Sequence, residues 1–291
     1  MVNVDGPDRS GRPQGNVHRT DEGIRVGRWL PTQFVPAARN MAIDAAVLEN
    51  VQPDDGWTLR LYGWNPPALS LGYFQTLGSR SLHRSSMDLP LVRRATGGGA
   101  IVHHHELTYS LIVGDRTLQQ WFADEMTNAV VGSGQPEATS DLTRWWYRAV
   151  HGAVMTALEG FGIQTRFAAD RRETVSSPES AFLCFRRRAD EDVEVGGYKV
   201  LGSAQRRARG GRLMHGGLLM AASEHAAELP GIYELTGKRP GWAEMGVALS
   251  RELARRLRIE WAEGHLGEAE RASSETAHAE RFAAESWTRR R

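Results

Sequence analysis

Apolar and polar residues alternate at period two in the first half of the chain, and at helical spacing mainly after residue 140. Trp57-Thr-Leu-Arg-Leu-Tyr62 alternates and predicts a strand. Asn65-Pro-Pro67 turns the chain into a second strand, Ala68 to Tyr73. Leu91 to Ala95, Ile101 to His103 and Leu107 to Val113 read as further strands. Val193 to Val195, Tyr198 to Leu201, and Arg212 to Met220 add to them. Asn40 to Glu49 reads as a helix with Asn40 as its N-cap. Asp141 to Gly160 is the clearest helix, with Trp145, Val150, Val154 and Leu158 near one face and Asp141 as the N-cap. Residues 240–263 carry another helical pattern. Strands outnumber helices and do not alternate regularly with them. The expected class is therefore α+β, a mixed, largely antiparallel sheet with flanking helices.

Domain boundaries follow from composition. Residues 1–27 are rich in Gly, Pro, Asp and Arg and read as a disordered leader, whose acidic residues argue against a transit peptide. Residues 28–262 form the expected folded domain. Residues 263–291 are charged and alanine-rich, a tail or a solvated helix. Gly132 to Ser140 and Ser176 to Ser180 read as loops.

The net charge of +1, from 36 basic and 35 acidic residues, gives no general attraction to nucleic acid or membrane. No apolar run reaches membrane-spanning length. A single cysteine excludes an intrachain disulfide and a cysteine-based zinc site, and suits a reducing, cytoplasmic compartment.

The same count points to chemistry. Cys184 is the only cysteine, and Lys199 and Lys238 are the only lysines, since 34 of the 36 basic residues are arginine. A thiol is a strong nucleophile as thiolate, and a nearby ammonium favours that form. A buried structural thiol is the plain alternative for Cys184. Lys238, in Thr236-Gly-Lys-Arg-Pro240, reads as a surface turn, with carrier contact as its alternative.

A second segment is Arg93-Arg94-Ala95-Thr96-Gly97-Gly98-Gly99-Ala100-Ile101-Val102-His103. Three glycines let backbone approach a ligand closely, or make a tight turn or bulge. No Gly-Lys-Ser/Thr follows, and the spacing is not a dinucleotide fingerprint. Of His103, His104 and His105 only the first and third share a strand face, and no further ligand cluster supports a metal. His103 is the candidate for the ligand side. Arg186 to Arg188 and Arg206 to Arg212 read as solvated basic runs, or as docking sites for acidic protein domains. Trp145-Trp146 reads as helix packing.

Arg-Arg-x-Thr-Gly-Gly-Gly-Ala-x-x-His over 93–103, Glu106-Leu-Thr-Tyr-Ser110, Lys199-Val-Leu-Gly-Ser-Ala-Gln-Arg206 and Met214-His-Gly-Gly-Leu-Leu219 resemble, in this order, the biotin/lipoate protein ligase superfamily, lipoate branch. The likeness runs from about Trp29 to Met220. Cys184-Phe185, fifteen residues before Lys199, is similar to its cysteine-dependent octanoyltransferases. ATP-dependent lipoate ligases lack that cysteine and usually carry an accessory C-terminal domain. Gly99 is a ligase-like departure, and a related amidotransferase also uses a cysteine here.

The resemblance implies that Cys184 is the nucleophile and Lys199 its partner. It implies acyl binding by Arg94, Thr96, Gly97, Gly98, Gly99, His103, Gly202, Ser203, Ala204 and His215, with amides near Gly202 to Ala204 as candidate oxyanion donors. The donor would be octanoyl-acyl carrier protein. The acceptor would be a lysine of a lipoyl domain, plausibly the glycine cleavage H protein. Neither ATP nor metal is expected, nor nucleic acid or membrane, and a monomer is expected. The alternatives are an ATP-dependent ligase, an amidotransferase, or a silent lipoyl-domain binding module.

Overall fold

The computed structural model describes residues 25–131, 141–170 and 182–291. Eleven strands are present among them: β1 (Arg25–Val35), β2 (Thr58–Trp64), β3 (Ala68–Leu71), β4 (Leu91–Arg93), β5 (Ile101–His103), β6 (Glu106–Gly114), β7 (Arg166–Phe167), β8 (Val193–Val195), β9 (Tyr198–Ala208), β10 (Gly211–Leu219) and β11 (Ile259–Glu263). Eight form one sheet in the order β11-β1-β2-β6-β10-β9-β8-β7, and three form a small sheet, β4-β3-β5. β1 runs parallel to both of its neighbours and β3 parallel to β4, while the other pairings are antiparallel. The α+β expectation therefore holds.

Side-chain alternation gives the main sheet two different faces. Leu59 and Leu61 of β2, Leu107, Tyr109 and Leu111 of β6 and Met214 of β10 pack under helices α3 (Leu142–Glu159) and α5 (Trp242–Leu257). Trp145 and Trp146 belong to this core, as helix packing required. On the opposite face, Tyr62 and Trp64 pack with α1 (Ala37–Asn50), and Ile112 and Leu213 pack with its Val47 and Leu48. The α1 face carries the polar groups of the site, including Arg60, Ser110 and His215.

The short strands and the Asp141 cap agree with the alternation: Asp141 Oδ1 accepts from the Thr143 amide at 2.8 Å. Other elements differ. Pro36 is the N-cap of α1, four residues upstream of the expected Asn40. Asn40 is instead buried inside the helix, donating to the carbonyls of Gly63 at 2.9 Å and Val35 at 3.2 Å. The helical pattern of 240–263 divides, because Arg258 adopts a left-handed conformation (φ 52°) that ends α5 and releases Ile259–Glu263 to pair with β1. Helix α2 (Asp115–Val131) lacked a clear apolar period in the sequence.

The last 29 residues follow the helical alternative, but packed and not solvated. They form α6 (Glu268–Ala277), a π-turn (His278–Phe282) and α7 (Glu285–Thr288), after the short α4 (Ile232–Thr236) upstream. Ala277 and Phe282 enter the α1 core, and Arg39 pairs with Glu275 at 2.6 Å. The buried Arg93 guanidinium donates to the Thr288 carbonyl, and the Trp287 indole N–H donates to the Arg93 carbonyl at 2.9 Å. Most of the expected leader lies outside the described residues, as do the loops at 132–140 and 176–180; Arg25 to Gly27 already belong to β1.

Candidate active site

The glycine segment is framed from inside by Arg94. Its buried guanidinium donates to the Ser70 carbonyl at 3.0 Å and hydroxyl at 2.7 Å, and to the carbonyls of Gly97 at 3.1 Å and Gly99 at 2.8 Å. Cys184 lies against this loop. The Ala100 amide donates to the Phe182 carbonyl and the Cys184 amide to the Ala100 carbonyl, both at 2.8 Å, so the two segments are stitched in parallel. A side chain at Gly99 would put its Cβ 2.8 Å from the Cys184 nitrogen, closer than real contacts allow. Gly99 is thus what lets the cysteine backbone reach the loop. A Cβ at Gly98 would stand 3.8 Å from the Cys184 sulfur.

Lys199 follows the tight β8–β9 hairpin, which returns the chain under the cysteine. Its ammonium donates to the Cys184 carbonyl at 3.4 Å and the Arg187 carbonyl at 3.3 Å, and pairs with Asp192 at 2.7 Å. Burial works to discharge it, but attraction to Cys184 and Asp192 and the Asp192 hydrogen bond outweigh that, and its pKa rises. The side chain lies over Gly202, where a Cβ would be 2.5 Å from the Lys199 Cε. Asp192 was not singled out in the sequence, although it lies seven residues before Lys199 on the same hairpin.

His103 stands behind the loop. Its ring stacks on Trp64 at 3.6 Å, with Nδ1 at 2.5 Å from Glu106 and Nε2 at 2.7 Å from the Ser70 hydroxyl. Ser70 Oγ accepts from Arg94, so it donates its one proton to Nε2, and Nδ1–H donates to Glu106. Burial lowers the His103 pKa and keeps this neutral tautomer. His103 therefore meets the loop through Ser70 and Arg94; its own ring is enclosed. His104 and His105 stack on each other at 3.5 Å. Among the described residues no three His, Cys, Asp or Glu side chains are placed to hold a metal.

Thr96 and His215 make a second point. Thr96 Oγ1 lies 2.8 Å from His215 Nε2, and His215 Nδ1 lies 3.8 Å from Asp44 of α1. Asp44 also accepts from Arg60, Tyr62 and Ser110. Burial would raise its pKa, but the pull of nearby His215 and the Arg60 charge outweigh it and the value falls. A small pocket opens beside these residues, lined by Met41, Leu48, Leu213 and Phe282 among others.

Ser203 points to the opposite, α3 face. His151 Nδ1 donates to the Glu191 carbonyl at 2.5 Å, so its Nε2 accepts from Ser203 Oγ at 2.7 Å, and Ser203 accepts from Tyr109 at 2.6 Å. Burial pushes the His151 imidazole down to about 4. Ala204 pairs with His215 across β9 and β10. Pairing with β8 stops at Leu201, so one edge of residues 202–208 has no strand partner among the described residues.

The basic runs separate. Arg207 and Arg212 are tied to Asp115, Arg206 donates to the Ala95 carbonyl, and Arg188 pairs with Glu194. Lys238 donates to the carbonyls of Phe161 and Gly162 near the end of α3, consistent with a surface turn. No helix among the described residues is long and apolar enough to cross a membrane.

Comparison with known proteins places the chain among relatives of one family. Residues 36–135 match the family model described as the lipoyl protein ligase A/B catalytic domain. The chain is 34% identical over 203 residues to the octanoyltransferase LipM of Kyrpidia tusciae, covering 68% of this chain and 67% of that one. It is 29% identical over 290 residues to LipM of Symbiobacterium thermophilum, covering 91% and 98%. Among solved structures, the bipartite lipoate protein ligase system of Thermoplasma acidophilum superposes with a TM-score of 0.65 at 18% identity, over 90% of this chain and 96% of that one. That last likeness concerns the fold.

Proposed function

From the premise that this chain belongs to the octanoyltransferase LipM family, and so transfers octanoyl groups in lipoate biosynthesis, we propose that the octanoyl group passes through a thioester on Cys184. The donor is octanoyl-acyl carrier protein. The acceptor is a lysine of a lipoyl-accepting protein, the glycine cleavage H protein in the first instance. The enzyme works in the cytoplasm, as a monomer.

In the first step the Cys184 thiolate attacks the donor carbonyl carbon. A new carbon–sulfur bond forms, the carrier's carbon–sulfur bond breaks, and the carrier thiolate leaves to take up a proton. In the second step the neutral acceptor amine attacks the same carbonyl. The amide forms, the Cys184 sulfur departs, and the amine's surplus proton returns to it or to water. The first step exchanges one thioester for another and the second turns a thioester into a more stable amide, so the activated donor drives the transfer without ATP. Lys199 favours negative charge on the carbonyl oxygen as it becomes an oxyanion, and amides at Gly202 to Ala204 complete that stabilisation. Thr96 and His215 orient the acyl chain beside the loop.

The observation that carries this reading is the Lys199 ammonium 3.4 Å from the Cys184 carbonyl, with Cys184 against the Gly98-Gly99 backbone and Lys199 over Gly202. Mass spectrometry after mixing with octanoyl carrier protein, without ATP, should find one octanoyl group on Cys184 that hydroxylamine removes. A fully active Cys184→Ala enzyme, or strict dependence on ATP and free lipoate, would overturn it in favour of a ligase.

A further inference from the structure

Arginines of the C-terminal segment, whose composition reads as a tail or a solvated helix, reach the aromatic residues beside the glycine loop. The Arg281 and Arg290 guanidiniums lie over the Trp287 indole, at 4.2 Å and 4.4 Å from its centre. Arg290 also donates to the Tyr73 hydroxyl at 2.7 Å. Arg291 lies over the rings of Tyr73 and Phe74, at 5.3 Å and 5.4 Å. Arg281 has Glu49 at 3.4 Å, but among the described residues Arg290 and Arg291 have no carboxylate partner. Both are exposed, and Phe74 is 70% exposed.

This cluster brings like charges together. Burial first, and then Arg290 and Arg291, lower the pKa of Arg93; the burial of Arg281, together with its neighbours Arg206 and Arg290, lowers that of Arg281. Aromatic faces hold the guanidiniums where carboxylates do not, which leaves their planar donor forks open to an incoming anion. The platform is fixed to the site. The Tyr73 amide donates to the Thr96 carbonyl at 2.8 Å, and the buried Arg93 guanidinium ties the Gly72 carbonyl at 3.0 Å to that of Thr288. A Cβ at Gly97 would be 3.7 Å from the Phe74 ring. The arginine cluster thus occupies the outer side of a loop whose other side meets Cys184.

We propose that Tyr73, Phe74, Trp287, Arg290 and Arg291 form the docking surface for the acidic carrier protein that delivers the acyl thioester. The assignment rests on the acyl-transfer reading above, since it is the thioester arm that must reach Cys184. Carboxylates on the carrier pair with Arg290 and Arg291, an apolar side chain covers Phe74, and the arm then enters past Gly97. Rim charges of this kind act mainly on the encounter rate and its salt dependence.

The test has two readouts. Binding of acidic acyl carrier protein to the Cys184→Ala protein is measured by fluorescence anisotropy. Acylation of Cys184 is timed with octanoyl carrier protein and, separately, with octanoyl-pantetheine, which has no protein surface to dock. Arg290→Glu with Arg291→Glu should weaken carrier binding and slow acylation by carrier about tenfold or more, and remove much of its salt dependence, while octanoyl-pantetheine reacts within twofold of wild type. Unchanged carrier binding overturns the proposal. So does equal slowing of both donors, which makes the arginines structural, or an effect confined to the acceptor step. Carrier binding that depends on these arginines, without any acylation of Cys184, supports the docking surface and overturns the thioester reading alone.

Discussion

The Lys199 ammonium donates to the carbonyl oxygen of Cys184 at 3.4 Å while pairing with Asp192 at 2.7 Å. The lysine is therefore a buried cation balanced by one carboxylate, with the cysteine beside it. Removing one partner of such a pair leaves an uncompensated buried charge. Lys199→Met should cost about 3 kcal/mol of stability and abolish transfer. Adding Asp192→Asn should recover much of that stability, and none of the activity. Urea unfolding of both variants, with octanoyl transfer assays, checks this; an active double variant would remove Lys199 from the chemistry.

Gly99 makes a separate prediction. Its added methyl would meet the Cys184 nitrogen and the Phe182 oxygen at 2.8 Å, and both are backbone atoms that cannot swing aside. Gly99→Ala should displace the thiol and slow its acylation, by about a hundredfold for a shift near 1 Å. Gly152 is the control. It lies in the middle of α3 with nothing within 4 Å of an added Cβ, so Gly152→Ala should leave activity unchanged and stabilise the helix by about 0.5–1 kcal/mol.

How much of this was legible in the sequence depends on where each signal resided. Cys184 and Lys199 stood out because their residue types are scarce, and the glycine loop because its spacing is unusual. Asp192 did not, being one of 35 acidic residues whose partner is set by the β8–β9 register and its bulge. His103 was assigned to the right segment but to a direct role. The pairing of β3 with β5 places Ser70 between it and Arg94, and strand alternation alone carries no such information. The C-terminal segment reads as a tail or a solvated helix, and its packing stays hidden, because Ala277, Phe282 and Trp287 are too few to produce a period. It is the exposed side of α1 that gives them something to bury against.

His151 predicts a pH effect on stability. Burial holds its folded pKa at about 4, against 6.5 when unfolded. Above pH 6.5 both states are neutral and nothing changes. Between 6.5 and 4 only the unfolded state takes up the proton, so stability falls as pH drops and levels off below 4. The loss is on the order of 3 kcal/mol. Thermal unfolding from pH 7 to pH 4 should show a shallower slope for His151→Gln, which can still bond Ser203 and the Glu191 carbonyl. An identical slope would mean that the imidazole is protonated in the folded protein.

The C-terminal helices should prove structural for the site, not only for the fold. Phe282 is 2% exposed, packs with the α1 core and lines the pocket next to Thr96 and His215. Phe282→Ala removes that wall and leaves a cavity, which costs about 3 kcal/mol in typical cores. It should also relax the acyl end of the pocket, so that decanoyl donors gain on octanoyl ones. Trp287→Ala keeps Phe282 but removes the indole bond to the Arg93 carbonyl and the surface under Arg281 and Arg290. It should lower carrier-dependent acylation more than chain-length preference. Denaturant midpoints, with octanoyl and decanoyl donors compared on both variants, separate the two roles; matching profiles would mean that the segment acts only as a stabilising cover.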